Sequence, residues 1–203
     1  MVEAWAYYSL LGLVGLLTVY LIRILALLSS PERRRQVAPK KPIATLVVLG
    51  SGGHTAEMMQ ITRKLSLGRY KITYVLARSD KTSIGKVEAV LGRALSSQEV
   101  VQIPRSREVG QSWATSILTT AYAGVSAFLL VVQTQPSLVL ANGPGTCLPV
   151  CIAAFALRAA GILDSRIVFC ESFCRVQSLS LTGRLLYPMV DRFVVQWPQL
   201  VHR

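Results

Sequence analysis

The sequence predicts an α/β fold: a Rossmann-like parallel sheet with helices on both faces, preceded by one N-terminal transmembrane helix. Three observations carry this. From Ile43 onward, short apolar runs rich in β-branched residues alternate with stretches of helical periodicity. The first run, Ile43 to Leu49, ends in Gly50-Ser51-Gly52-Gly53-His54, and a helical pattern follows at once. Ahead of it, Trp5 to Ile22 carries no charge at all. Repeated strand–helix order with short connections implies parallel strands covered on both sides. Ligands of such sheets bind at the carboxyl ends of the strands.

The N-terminal element comes first. After Arg23 the apolar run resumes to Leu28, so Ala4 to Leu28 as a helix spans about 37 Å, against a hydrocarbon core of about 30 Å. Trp5, Tyr7, Tyr8 and Tyr20 suit an interfacial belt, and Arg23 is expected to snorkel to the headgroups. Arg33, Arg34, Arg35, Lys40 and Lys41 follow the run, whereas only Glu3 precedes it. The positive-inside rule therefore places the main domain in the cytosol. A cleaved signal peptide is the rival reading, but the positive n-region is absent and the apolar stretch is long. The expected organisation is an anchor over 1–28, a basic linker over 29–42 and one Rossmann-like domain over 43–203. Without the anchor and linker roughly 160 residues remain, enough for one such domain and not two.

A net charge of +12 points to nucleic acid, anionic lipid or phosphorylated substrates. Nucleic acid is set aside, because no RNP, zinc-finger or helix-turn-helix signature occurs and basic residues are not interleaved with aromatics. Cys147 and Cys151, then Cys170 and Cys174, form two C-x-x-x-C pairs. Zinc sites favour C-x₂-C spacing, so buried reduced thiols are expected instead, with no metal. Val109 to Leu157 contains no charged residue. Within it, Trp113 to Val132 reads as a buried crossover helix, with a second membrane span or a helix lying on the bilayer surface as alternatives.

The expected strands are Ile43–Leu49, Lys71–Ala77, Val100–Ile103, Leu138–Leu140, Ile167–Cys170 and Phe193–Val195. The expected helices are Ala56–Leu67, Thr82–Leu95, Trp113–Val132, Cys147–Leu157 and Thr182–Tyr187. In the first of these Met58, Ile61, Thr62 and Leu65 share one face, which should pack on the sheet.

One rim then collects the chemistry. The strand ends deliver Gly50 to His54, Arg78-Ser79-Asp80, Pro104 to Glu108, Asn142-Gly143-Pro144-Gly145-Thr146 and Glu171 to Arg175. Two glycine-rich helix N-termini on one rim offer backbone N–H groups and positive dipole ends to an anion such as phosphate. Arg105 and Arg107 are candidate phosphate clamps, and a solvated charge cluster is their bland alternative. His54 is the sharper candidate, since His202 is the only other histidine. A helix N-terminus disfavours the imidazolium and so favours the neutral ring a general base needs. Glu57, one turn on, would orient that ring or complement the dipole. Glu171 is a competing acid–base group or an ion-pair partner. The dinucleotide fingerprint G-x-G-x-x-G would need glycine where Thr55 stands, and G-x-x-x-x-G-K-[ST] is absent. A stand-alone membrane-anchored NAD(P)-binding Rossmann enzyme is thus the weaker functional reading, alongside a purely structural receptor for another subunit.

Five segments together, LGSGGHTAEM, IPRSREVGQSW, NGPGTCLP, ESFCRVQSLSLTGRLLYP and DRFVVQWP, resemble the asparagine-linked glycosylation 14 family. That family is the membrane-anchoring subunit of the endoplasmic-reticulum UDP-N-acetylglucosamine transferase. More distantly, the two glycine loops look like the acceptor half of the bacterial lipid-linked peptidoglycan transferase. The resemblance implies the acceptor half of a GT-B glycosyltransferase. A separate soluble catalytic subunit would bind UDP-GlcNAc and dock on this chain at the cytosolic face, and the pair would add the second GlcNAc, β-1,4 with inversion, to GlcNAc-diphosphate-dolichol. No cofactor is expected on this chain. Transferred onto these residues, Ser51, Gly52, Gly53, Arg105, Arg107, Asn142 and Gly143 would hold the acceptor diphosphate. His54 would be the base, with Glu171 as the alternative.

Overall fold

A computed structural model describes residues 2–29, 41–66, 68–106, 111, 113–143 and 145–201. Helix α1 (Val2–Ser29) is followed by β1 (Ile43–Val48), α2 (Gly53–Thr62), β2 (Tyr70–Ala77), α3 (Ser83–Leu91) and β3 (Val100–Ile103). Then come α4 (Trp113–Thr134), β4 (Leu138–Asn142), α5 (Cys147–Ala159), β5 (Arg166–Cys170), α6 (Leu181–Leu186) and β6 (Arg192–Val194). A 3-10 turn, Pro198–Leu200, follows. Among the described residues, the strands form one all-parallel sheet in the order β3-β2-β1-β4-β5-β6. The order reverses between β1 and β4, where Val48 pairs with Ala141. That reversal opens a crevice at the carboxyl ends of these two strands.

The central strands are apolar on both faces, as parallel strands covered by helices must be. Leu46 and Val48 of β1 face one core with Val139, Ala141, Ile167 and Phe169, and α4 and α5 cover it. Val47 and Leu49 face the other, closed by Met58 and Met59 of α2 and Val87 of α3.

Several boundaries differ from those expected. Helix α2 begins at Gly53 rather than Ala56, because Gly52 at φ 69 turns the chain and the next residue is already helical. It ends at Thr62 rather than Leu67. Met58 and Thr62 are buried and Leu65 packs against the sheet core as expected, Thr55 and Met59 join them, and Ile61 is exposed. Helix α3 stops at Leu91 rather than Leu95, since Gly92 takes the left-handed conformation and donates to the Glu88 carbonyl. Strand β4 continues to Asn142, two residues past its expected end, held by pairing with Cys170. Strand β6 lies one residue earlier than predicted.

Helix α1 is long and apolar enough to cross a membrane. The expectation that Arg23 would snorkel is corrected. Its guanidinium lies at the C-terminus of α5, donating to the Arg158 carbonyl at 3.4 Å. Leu27 is buried, and Tyr20, Ile24 and Leu28 pack against the α4–α5 core. The C-terminal turns of α1 are thus part of the domain's packing. Apart from its two ends, the basic linker expected at 29–42 lies outside the described residues.

Helix α4 is a crossover helix between β3 and β4, as preferred. Ala123, Ala127, Leu130 and Val131 are buried against the core. On its other side Leu118, Tyr122, Val125, Leu129 and Val132 form an exposed apolar stripe at helical spacing. The thiols of Cys147, Cys151 and Cys170 are buried, whereas Cys174 is exposed, against the expectation of four buried thiols.

Candidate functional site

The site forms where β1, β3, β4 and β5 end. After β1 the chain turns through Gly50 to Gly52 and opens α2, whose N-cap is Gly52 and therefore lacks a side-chain cap. After β4 it turns through Gly143 and Gly145, at φ 95 and 73, and opens α5. Thr146, the N-cap of α5, makes no side-chain cap bond. Both helices thus present first-turn N–H groups without the cap that usually satisfies one of them. Pro149 sits in the first turn of α5, where it removes no helical hydrogen bond.

Arg105, just past β3, joins the two turns. Its Nη2 is 3.3 Å from Ser51 Oγ in the first turn. A Cβ built on Gly145, in the second, would stand 3.7 Å from its Nε. Ser106 fixes this loop by donating to the Gly145 carbonyl at 3.0 Å. Arg107 lies outside the described residues. A further cation escaped the sequence reading: Lys86 of α3 donates from Nζ to the Gly52 carbonyl at 3.0 Å. Its position in the first turn of a neighbouring helix gives no local signal.

The first turn is braced from behind. Thr55, fully buried, directs its one Oγ1 proton to the Gly50 carbonyl and to Ser83 Oγ, which both lie within hydrogen-bond reach. Ser83 in turn donates to Asp80, whose Oδ1 also accepts the N–H groups of Thr82 and Ser83 at 3.0 Å each. Burial alone would raise the Asp80 carboxyl, but the hydrogen bonds from Ser83 and Thr82 outweigh it and leave the group below its ordinary value. Threonine at the place of the third fingerprint glycine is therefore a strut, and Asp80 caps α3 through its side chain. Neither is arranged as the dinucleotide reading requires.

His54, half-buried at the second position of α2, lies over the second turn. A Cβ on Gly143 would meet its Cγ at 2.7 Å, and one on Gly50 would meet its Cβ at 2.7 Å. Only glycine at both positions lets the ring seat there. Its Nδ1 is 2.9 Å from Oδ1 of the fully buried Asn142. Asn142 Nδ2 donates to Glu57 at 3.0 Å. The Asn142 side chain therefore serves the histidine. Glu57 reaches the ring through that amide and does not touch it directly.

Glu171 is 1 % exposed and faces its own loop. It accepts from the Ser172 N–H at 3.0 Å, and from Ser180 N–H and Oγ at 2.8 and 3.0 Å. Its carboxylate is committed to holding the segment between β5 and α6. Of the two candidate bases, His54 is the one beside the glycine turns. Ser51, Gly52 and Gly53 are exposed at the rim, so the structure gathers Ser51, Gly52, Gly53, His54, Arg105, Asn142 and Gly143 and turns Glu171 inward.

Comparison with known proteins agrees with the motif resemblance. Residues 45–203 match the profile of the family described as "Oligosaccharide biosynthesis protein Alg14 like". The "UDP-N-acetylglucosamine transferase subunit ALG14" of Rattus norvegicus is 42% identical over 92% of this chain and 88% of its own length. The proteins of that name in Homo sapiens and Candida albicans are 40% and 36% identical, over 92% and 98% of this chain and 88% and 93% of their own. Among solved structures, MurG of Acinetobacter baumannii superposes with a TM-score of 0.56 at 13% identity, over 77% of this chain and 42% of MurG. A UDP-N-acetylglucosamine 2-epimerase gives 0.59 at 15%, over 78% of this chain and 43% of that one. At those identities the likeness concerns the fold, and this chain spans less than half of either structure. The profile match and the extent of the identities establish what the five motifs suggested: the chain belongs to the Alg14-like family of oligosaccharide biosynthesis proteins.

Proposed function

We propose that this chain is the membrane-anchoring, acceptor-binding subunit of a heteromeric UDP-GlcNAc transferase. In this reading it recruits a soluble, donor-binding catalytic subunit to the cytosolic face of the endoplasmic reticulum membrane. The pair adds the second GlcNAc, in β-1,4 linkage, to GlcNAc-diphosphate-dolichol. The observation that carries the proposal is Arg105 spanning two glycine turns, each opening an uncapped helix. That arrangement suits a diphosphate, which brings two adjacent charged groups and receives charge-assisted hydrogen bonds from guanidinium and backbone N–H. The apolar helix α1, packed on the same domain, fits a ligand that is itself embedded in a bilayer. The similar proteins of Rattus norvegicus and Candida albicans are named as transferase subunits, which supports a partner chain.

The acceptor's 4-hydroxyl oxygen attacks C1 of the donor sugar from the face opposite UDP. The C1–oxygen bond to the β-phosphate breaks, and its electron pair leaves with UDP. The hydroxyl proton passes to Nε2 of His54, whose Nδ1 side is occupied by Asn142. Such general-base help is worth about 10²–10⁴-fold in rate.

The decisive experiment is reconstitution. The full chain in vesicles, with and without its co-purified soluble partner, is assayed for transfer from UDP-GlcNAc to a GlcNAc-diphosphate-lipid. Disaccharide should form only with both subunits, and His54→Ala should lower the rate of the pair at least about tenfold. Disaccharide made by this chain alone refutes the division of labour; an unchanged His54→Ala rate removes the base.

A further inference from the structure

We propose that Glu57 and Asn142 are positioning residues that lock the His54 ring in one tautomer, with the proton on Nδ1 and a lone pair on Nε2. The catalytic meaning of this lock rests on the reading of His54 as the base. The tautomer itself is a property of the chain and needs no substrate to be measured.

The argument is one of donors and acceptors. An ionised carboxylate only accepts hydrogen bonds. Glu57 receives three: from Asn142 Nδ2 at 3.0 Å, Ser172 Oγ at 3.0 Å and the Phe173 N–H at 3.2 Å. The amide nitrogen of Asn142 is thereby claimed by Glu57. Its oxygen, which can only accept, is left facing His54 Nδ1 at 2.9 Å. That nitrogen must carry the proton. In a neutral ring Nε2 then holds the lone pair, the form that can take a proton from an attacking hydroxyl.

The opposite amide orientation is disfavoured. It would set Asn142 Oδ1 against a carboxylate oxygen, acceptor to acceptor, at a residue with 0 % exposure. Packing fixes the ring as firmly as bonding does. Gly50 and Gly143 leave no room for a Cβ beside it, and Asn142 is held in the sheet by its pairing with Cys170. Glu57 in turn is pinned by the Ser172–Phe173 turn after β5. The tautomer is thus set jointly by α2, the end of β4 and the loop after β5. The logic parallels a hydrolytic triad, in which an acid holds the histidine in the productive tautomer. Loss of that control there costs about 10⁴-fold in rate. Here a buried amide is interposed between acid and ring.

Because His54 and His202 are the only histidines, the lock can be read directly. The full chain, ¹⁵N-labelled at histidine in detergent micelles, is studied by long-range ¹H–¹⁵N correlation at a pH where the rings are neutral, with His202→Gln for assignment. The wild type should show a pyrrole-type Nδ1 and a pyridine-type Nε2 for His54. In Glu57→Ala and Asn142→Ala the two nitrogens should average toward a mixture of tautomers. In the assembled complex each variant should lower kcat by about tenfold or more, with the acceptor KM changed less than about threefold. A wild-type ring protonated on Nε2 overturns the proposal, and so does a spectrum unchanged in both variants. The wild-type spectrum decides alone if the variants fail to fold. An Nδ1–H ring together with a fully active His54→Ala would leave the lock standing and remove the base. An Nε2–H ring with an inactive His54→Ala would do the reverse.

Discussion

The Arg23 guanidinium, carried by the apolar N-terminal helix, lies over Gly161, the residue that reverses the chain after α5. The end of α5 is closed by two reversed hydrogen bonds, Gly161 N–H to the Arg158 carbonyl and Ile162 N–H to the Leu157 carbonyl, both 3.0 Å. This is a glycine-dependent C-terminal cap, with Gly161 at φ 77. Arg23 adds a positive charge at the negative end of that helix. Gly161→Ala should therefore cost about 1–2 kcal/mol in denaturant unfolding, from backbone strain. The flexible guanidinium can swing away from the new methyl, so Arg23→Ala should not rescue the variant.

Helix α1 packs on the domain through Leu27, and in the proposed function it also attaches the chain to the membrane. Deleting Met1 to Leu28 should release most of the protein from the membrane fraction, and should lower its melting temperature because Leu27 leaves the core. Residual membrane binding by the truncated chain would trace to the exposed stripe of α4. Replacing Leu118, Val125 and Leu129 with serine should then abolish it, measured by vesicle flotation.

Arg105 and Lys86 both reach the first glycine turn, but they should not count equally. Arg105 spans both turns, whereas Lys86 touches only the Gly52 carbonyl. Loss of a charged hydrogen bond costs about 1.5–3 kcal/mol, so Arg105→Gln should raise the acceptor-lipid KM by about 10-fold or more. Lys86→Gln should raise it severalfold at most. Equal effects would show that the rim acts through net charge and not through the bridge.

The cysteines should differ sharply in reactivity. Burial pushes the Cys147 thiol up to about 12 and Cys170 to about 11, and raises Cys151 well above its ordinary value. These thiols therefore carry almost no thiolate at pH 8, and the thiolate is the reactive form. Cys174 is exposed. A soluble disulfide reagent should titrate one thiol per native chain, and four after unfolding, with Cys174→Ser abolishing the native reaction.

Asp80 supplies a test of pH dependence. Its carboxyl is lowered from 3.8 in the folded chain, so the stability it contributes is present above that value and is lost as pH falls through it. At pH 7, Asp80→Ala should be destabilised by about 1–2 kcal/mol through loss of the α3 cap. The gap between variant and wild type should close progressively below about pH 4. A gap that persists at low pH would mean that packing, and not the charge, carries the effect.

Much of the architecture was legible because its signals are local. A β-branched run followed by glycines and a helical pattern marks one strand end whatever surrounds it, and the parallel sheet follows from repeating that unit. Boundaries slipped where a single residue's conformation overrode the pattern, as at Gly52 and Gly92. The face of α2 differs from expectation at Ile61, which is apolar yet exposed, and at Thr55, which is polar yet buried for its hydroxyl. Glu171 read as a candidate base since an acid at a strand end suggests chemistry. Only its three internal donors show that it faces its own loop.

What the amino-acid sequence determined by itself was therefore the apolar N-terminal helix, the strand–helix order and the identity of the rim turns, all encoded within a few residues of one another. The tertiary structure alone decided which side chains meet there. Glu57 and Asn142 stand 85 residues apart, and Arg23 and Arg158 stand 135 apart. Such pairings depend on strand order and helix register, and a short stretch of sequence carries no periodicity that could announce them.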